Sequence, residues 1–419
     1  MAGQQAVIYE AAAIADTELG VVRPGAVAVR CGRVLASGSL EQVRRQINRW
    51  ENVVRVDDAL IFPGMVNAHA HLDLTGIGPQ PLTGDFADWV MMLQKQRGTC
   101  EAAGEAAEQG AVMCLAGGVT AVGDIESWVS PGAARTALEA SALVGVSFAE
   151  LIGIDGPRRQ KQVARIETLA ADAGQRNGVR VGLQPHAPYS TGPGVYESVT
   201  QAFCGQGLAV STHLAELREE IEFVAEGTGR LRQLHESLGV WDNDYAAHYG
   251  NGYHPVRWME PYLERARWLV THCNYVEDEH IEMLARCGAS VAYCPVASDY
   301  FGHRGHRYRD MWAGQVNVCL GTDSIICQPA DEPQPLGILA QMRYLYRRDR
   351  TEPGQLLAMA TVNGCKALGL AAHHATLQVG AAARLYTVRF DPGDLRDPLT
   401  QVLENRYPVE PLTIVENMS

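Results

Sequence analysis

The stretch Asn67-Ala68-His69-Ala70-His71 follows an apolar run, Ala59-Leu60-Ile61-Phe62-Pro63-Gly64-Met65-Val66. Side chains in a strand alternate faces with period two, so His69 and His71 point the same way. Two imidazoles on one face can grip a single metal ion, or they can be two ordinary packed histidines. The pair alone does not decide. The choice turns on whether other strand-like runs end in groups of the same kind. Several do: Gln184-Pro185-His186-Ala187-Pro188-Tyr189-Ser190, Ser211-Thr212-His213-Leu214-Ala215-Glu216, Val270-Thr271-His272-Cys273-Asn274 and Leu320-Gly321-Thr322-Asp323-Ser324. Random placement rarely sets five of thirteen histidines and an aspartate at such ends.

These residue types suit a definite chemistry. Zinc or iron(II) takes imidazole nitrogen and carboxylate oxygen, and a catalytic site leaves a position for water. Water so bound has its pKa lowered from near 16 to roughly 7. Glu216 follows His213 closely enough to take a proton from that water and pass it to a leaving group. Asp323 can both ligate the ion and orient the nucleophile.

The elements that must hold these residues alternate between apolar runs and helical text. Candidate strands are Leu60–Val66, Val119–Ile125, Val146–Leu151, Val179–Gln184, Leu208–Thr212, Trp268–Thr271, Ala289–Tyr293 and Val316–Gly321. Strands apolar on both faces, separated by helices, imply a parallel sheet. Eight such units fit an α/β fold of the (β/α)8 TIM-barrel type, whose catalytic groups come from the C-terminal strand ends. A doubly wound open sheet is the alternative, weakened because no G-x-G-x-x-G follows an early strand.

Residues before 59 read as short strands and turns (Ala6–Tyr9, Ala26–Arg30, Val34–Ala36, Val53–Val56) with a helix-like stretch from Leu40 to Arg49. Alternation returns at Ala383–Val388, so the two chain ends are expected to form one small composite β-sandwich domain. The expected boundaries are 1–58 and 373–419 for that domain and 59–372 for the barrel. The longest interruption, 227–263, carries Trp241, Tyr245, His248, Tyr249, Tyr253, His254, Trp258 and Tyr262. Its position suits a lid over the barrel's active face.

A formal charge of −13 without a basic stripe argues against a nucleic-acid partner. There is no apolar run long enough for a membrane span and no signal-like pattern at Met1–Gln5, so a cytoplasmic location is expected. The ten cysteines are scattered without a C-x-x-C pair, which fits buried free thiols. The H-x-E and P-C-x-x-C signature of the zinc-dependent nucleobase deaminases is missing.

The ordered pattern H-A-H, strand-end His, H-x-x-E, strand-end His and G-T-D-S resembles the amidohydrolase superfamily, and within it the mononuclear deaminase branch. The flanking P-G-M-V-N-A-H, P-H-A-P-Y-S and Thr361-Val362-Asn363-Gly364 agree. Two-metal members carry a lysine at the end of strand four; here His186 stands there and Lys161 lies well upstream. The resemblance therefore implies one divalent ion, zinc with iron(II) as the alternative, held by His69, His71, His213 and Asp323. It further implies that His272 polarises the attacking water or the substrate, that Glu216 is the proton shuttle, and that His186 contacts substrate. Asn67–Leu74 with Asp85-Phe86-Ala87-Asp88-Trp89, and Gly227-Thr228-Gly229-Arg230-Leu231, resemble aminodeoxyfutalosine deaminases. Adenosylhomocysteine-type deaminases more often have N-T-H-T-H. Trp89 and Arg97 are in reach of substrate from the first loop, or serve as packing and surface residues. The usual A-D-L-V of the C-terminal segment is Ala383-Arg384-Leu385-Tyr386 here.

The reaction so implied is hydrolytic deamination of an aminated purine nucleoside, with a small-molecule substrate and a homodimer left open. Competing readings are an adenosylhomocysteine, methylthioadenosine or guanine deaminase, a chlorohydrolase-type enzyme on a related ring, and a non-catalytic metal-binding scaffold. The scaffold reading gives Glu216 no task.

Overall fold

The computed structural model describes residues 6–47, 50–153, 156–171, 174–241 and 246–414. Met1–Gln5, Tyr245 and the last two residues of the expected helix 40–49 lie outside the described residues.

Eight strands form one sheet: β1 Met65–Ala70, β2 Val119–Glu126, β3 Val144–Leu151, β4 Val179–Pro185, β5 Ala209–Leu214, β6 Trp268–His272, β7 Ser290–Tyr293 and β8 Asn317–Leu320. They follow chain order across the sheet, and pairing from β3 to β4 and from β5 to β8 is parallel. The sheet closes where Ala70 bridges Asp323 and the His69 carbonyl accepts the Thr322 and Asp323 N–H groups, both at 3.0 Å. Closure removes the free edges that an open sheet would leave. Every residue of β1 and β2 is buried, as expected for strands covered on both faces. The fold is the expected TIM barrel. Gly145, at φ 150°, opens β3, and a Cβ there would lie 1.9 Å from the Val122 carbonyl oxygen. Only glycine allows that approach.

The first expected strand is corrected. Leu60–Pro63 ends a long strand, Trp50–Pro63, of a different sheet, and β1 begins at Met65. Pro63 and Gly64 supply the break: proline cannot donate to a ladder, and a Cβ at Gly64 would sit 2.2 Å from Thr120 Oγ1. In consequence His69 lies inside β1 and His71 immediately after it. His213 and His272 likewise fall within β5 and β6.

The second sheet has seven strands and mixes both chain ends. Ala6–Asp16 pairs parallel with Trp50–Pro63 and antiparallel with Gly25–Arg30, and Leu385–Arg389 pairs antiparallel with Ala59–Pro63. Its apolar face includes Tyr9, Ile14, Val27, Ile61, Leu377 and Leu385, all buried. The chain divides into two compact units, one of Met1–Asn67, Val112–Ala121 and Asp331–Ser419 and the other of Ala68–Ala111 and Val122–Ala330. Segment 331–372, expected with the barrel, thus groups with the mixed sheet.

Within 227–263 the chain forms helices Gly229–Ser237 and Pro255–Leu263. Phe223, Leu231, Val240 and Tyr249 form a buried core there, with Trp241 and Trp258 packed against it. Of the eight residues expected to give this segment its aromatic character, Trp241, Tyr249 and Trp258 are packing. Among the described residues, no helix is long and apolar enough to cross a membrane. Of the ten free cysteines six are buried and Cys31, Cys100 and Cys204 are exposed, so the expectation of buried thiols holds for the larger part.

Candidate metal centre and active site

Four imidazoles meet at the C-terminal end of the barrel. His69 stands edge-on to His71 and His213, each with ring centres 5.0 Å away, while His71 lies parallel to His213 at 5.5 Å. His272 continues the parallel set, 5.3 Å from His213. Three overlapping groups have ligand atoms within 4.8 Å of one another: His69 with His213 and His272, His69 with His71 and Asp323, and Glu216 with His272 and Asp323. His272 thus sits geometrically among the groups expected to ligate, not apart from them.

The chain leaves these strands through an unusual backbone. Ala215, His272, Cys273 and Asp323 all have positive φ, at 49°, 76°, 51° and 61°. A left-handed residue other than glycine costs roughly 1–2 kcal/mol, and such strain collects where function fixes a side chain's direction. Here it turns Glu216 and Asp323 back toward the imidazoles.

The surrounding hydrogen bonds fit a cation. His213 Nδ1 lies 2.9 Å from the His186 carbonyl oxygen, and a carbonyl can only accept, so Nδ1 carries the proton and Nε2 keeps its lone pair. His69 Nδ1 lies 3.2 Å from Thr271 Oγ1, which can accept in the same way. The two Nε2 atoms then face each other at 3.3 Å. Two lone pairs so aimed repel unless something positive lies between or beside them, and Nε2 ligation with Nδ1 held by a partner is the usual arrangement of metal-binding histidine. His71 Nε2 lies 3.6 Å from Asp323 Oδ1, adding a carboxylate to the donor set.

Electrostatics agree. Burial, then neighbouring imidazoles, hold His69, His71 and His272 well below the ordinary histidine pKa. His213 is held down at about 3, chiefly by burial. These rings are neutral at pH 7, the form that ligates. Burial raises Asp323 to about 6. It raises Glu216 well above the usual carboxylate range, with the charges of Asp323 and Glu220 adding to the effect. A carboxyl that holds its proton this tightly can donate it. Glu216 Oε1 lies 3.5 Å from His272 Nε2, so the two groups share one small space.

The substrate-side expectations fare unevenly. His186 Nδ1 bonds Ser190 Oγ at 2.6 Å, and its Nε2 faces Glu150 Oε1 at 3.9 Å beside the His213 ring. Arg97 ends the helix Phe86–Gln96 and donates from Nη1 to Ser127 Oγ at 2.7 Å. Its charge acts on His71, Asp73 and His186. Trp89 stacks on Phe86 and meets Phe301 edge-on, packing against Cys294, Ala297 and Cys327.

Sequence reasoning missed Glu150, which is 3 % exposed at the end of β3. It also missed Thr271, Asn274 and Glu220. Asn274 Nδ2 donates to the Glu216 carbonyl at 3.0 Å and its Oδ1 accepts from Ser298 Oγ. Reading the ends of the second and third strands as well as the others would have flagged Asp124, Glu126 and Glu150. Nothing in the sequence marks Thr271.

With the geometry in place, comparison with known proteins adds the following. The family model described as "Amidohydrolase family" matches residues 60–414. A curated relative from Shouchella clausii, named 5-methylthioadenosine/S-adenosylhomocysteine deaminase, is 28% identical over 79% of this chain and 73% of its own length. Another from Deinococcus radiodurans, named aminodeoxyfutalosine deaminase, is 29% identical over 73% of each chain. A crystal structure of Helicobacter pylori aminofutalosine deaminase in complex with methylthio-coformycin superposes with a TM-score of 0.81. That match covers 97% of this chain and 98% of the other at 19% identity, and at that identity it speaks to the fold alone.

Proposed function

We propose a substrate for a chain that belongs to the amidohydrolase family and is a metal-dependent hydrolytic deaminase: an aminated purine nucleoside, and among these aminodeoxyfutalosine. The observation that carries the reading is Glu216, a buried carboxyl with raised proton affinity set 3.5 Å from His272 among neutral imidazoles. Deamination of a purine needs a proton delivered to the ring nitrogen beside the amino-bearing carbon, and this is the group suited to deliver it.

His69, His71, His213 and Asp323 would hold one divalent ion, zinc in this reading and iron(II) in the alternative. When bound, that ion lowers the pKa of water from near 16 to about 7 and so makes a nucleophile available at neutral pH. Glu216 takes one proton from the attacking water and delivers it to the ring nitrogen as the water oxygen bonds to the amino-bearing carbon. The remaining hydroxyl proton passes to the amino group, the carbon–nitrogen bond breaks, ammonia leaves and the carbon keeps the oxygen as a carbonyl. His272 orients the attacking water against Glu216, and His186 and Arg97 contact the substrate. The purine class draws support from the two curated relatives, one named a 5-methylthioadenosine/S-adenosylhomocysteine deaminase and the other an aminodeoxyfutalosine deaminase. The choice of aminodeoxyfutalosine rests on the Asn67–Leu74 and Asp85–Trp89 segments. The name of the Shouchella clausii relative keeps methylthioadenosine and adenosylhomocysteine as the second reading. A cytoplasmic location and a homodimer belong to the same proposal, the second checked by sedimentation.

Ammonia release is to be measured against aminodeoxyfutalosine, adenosylhomocysteine, methylthioadenosine, adenosine and guanine. The highest kcat/KM is expected for aminodeoxyfutalosine; a preference for guanine, or faster release of chloride from a chloro-s-triazine measured alongside, would overturn the reading. Glu216→Gln should abolish ammonia release while metal content persists, and unchanged turnover in that variant would sink the mechanism.

A further inference from the structure

Glu220 is fully buried and carries a carboxyl group. It stands in the first turn of the helix Arg218–Glu226, whose N-cap Leu217 offers no side-chain cap. A glutamate in that turn ordinarily reaches back to the N-cap's own N–H and serves the helix. Glu220 reaches further. Its Oε1 accepts the Ala215 N–H at 2.9 Å and its Oε2 the Glu216 N–H at 2.8 Å, with a third, smaller contribution from Leu217.

These two bonds act on the turn that aims the proton carrier. Ala215 is the left-handed residue, at φ 49°, that reverses the chain between β5 and Glu216. The Glu216 carbonyl is held from the other side by Asn274, and the Ala215 carbonyl accepts the Tyr275 N–H. Without the carboxylate, two adjacent buried N–H groups would lose their acceptors and Ala215 would have less to keep it left-handed. Two diverging donors need two acceptor oxygens, which a carboxylate supplies and an amide does not.

We propose that Glu220 is the positioning residue for Glu216: its carboxylate clips the Ala215 and Glu216 amides, holds the turn left-handed and so sets the Glu216 carboxyl against His272. The inference rests on Glu216 being the proton carrier of the proposed function.

The test uses the full-length, metal-loaded enzyme with aminodeoxyfutalosine, or the nucleoside of the set above that the wild type turns over fastest. Displacing a reacting group by about 1 Å costs about 100-fold. Glu220→Gln should therefore lower kcat about 100-fold per bound metal while KM stays within about 3-fold. Glycine adopts the left-handed conformation at no cost. Ala215→Gly added to Glu220→Gln should then recover about 10-fold of the lost kcat, whereas Ala215→Gly alone should stay near wild type. A purely structural Glu220 would lower the melting temperature and leave kcat per bound metal unchanged, with no rescue by glycine; either result overturns the proposal. A crystal structure of Glu220→Gln should show the Glu216 carboxyl withdrawn from His272, and an unmoved carboxyl overturns it without any activity measurement. Glu216→Gln separates the two levels. If that variant stays active, both readings fall; if it is dead while Glu220→Gln is fully active, the clip alone falls.

Discussion

Replacing Thr271 by valine tests whether His69 is held for ligation. Thr271 is fully buried on β6, directly opposite His213 in the sheet register, with Oγ1 3.2 Å from His69 Nδ1. Valine keeps the shape and suits a strand, but exchanges the hydroxyl for a methyl group. His69 must then either bury an unpaired Nδ1–H, at about 1–3 kcal/mol, or move its proton to Nε2, where it cannot ligate. Either path weakens the metal complex and not the chemistry within it. Partners of this kind typically contribute about 10- to 100-fold in metal affinity, or about 1.4–2.7 kcal/mol, in agreement with the desolvation figure. Zinc affinity is measured by competition with a chelator of known strength at neutral pH. Thr271→Val should bind zinc about 10- to 100-fold more weakly, and Thr271→Ser, which keeps the hydroxyl, within about 3-fold of wild type. At saturating zinc, kcat of Thr271→Val should approach the wild-type value. Wild-type affinity in Thr271→Val would refute the assignment of the His69 tautomer, and with it the convergence of the two Nε2 lone pairs.

Other consequences can be checked directly. Gly64→Ala places a methyl group 2.2 Å from Thr120 Oγ1 and 2.3 Å from its Cγ2. Overpacking of this kind costs about 1–3 kcal/mol, seen as a lower denaturant midpoint, and an unchanged midpoint would mean that the Pro63–Gly64 break is looser than it looks. His235 is buried against Phe223 and near Trp241, and burial lowers its pKa from 6.5 to about 4. Because the folded value is depressed, its contribution is complete above 6.5 and is lost as pH falls toward 4, the unfolded chain taking up the proton first. From pH 7 to pH 5 this amounts to about 2 kcal/mol. His235→Leu should lose that much less stability over the interval, and equal losses in the two proteins would place the acid sensitivity elsewhere. Phe223→Ala, which empties the centre of the same cluster, should cost about 3–5 kcal/mol by urea unfolding, and a cost below about 1 kcal/mol would show that the cluster is not a packed core.

What could be read from the sequence follows from what is local. Period-two alternation puts His69 and His71 on one face whatever surrounds them, and parallel strands that all point one way bring His213, His272 and Asp323 to the same end. The residues of the site were legible because strand ends in such a barrel are equivalent places. Its support was not. Thr271 matters because closure of the sheet sets its hydroxyl against a histidine two hundred residues earlier in the chain. Glu220 looks like one more acid in Arg218-Glu219-Glu220-Ile221-Glu222 until the left-handed turn at Ala215 folds two amides onto it. The first strand was misplaced for a related reason. Leu60–Val66 is apolar throughout, and only the close approach of Thr120 shows why Gly64 must divide it between two sheets.

The mixed sheet carries a consequence in time. The strand Trp50–Pro63 pairs on one edge with Ala6–Asp16, made just before it, and on the other with Leu385–Arg389. Translation at about 5–20 residues per second separates Pro63 from Leu385 by roughly 20–60 s. For that interval the buried segment Ala59–Phe62 waits on the ribosome with an unpaired, apolar edge. The nascent chain must therefore be shielded until Leu385–Arg389 arrives, and slowing translation over the barrel segments, which lie between the two pairing strands, should raise its demand for chaperones.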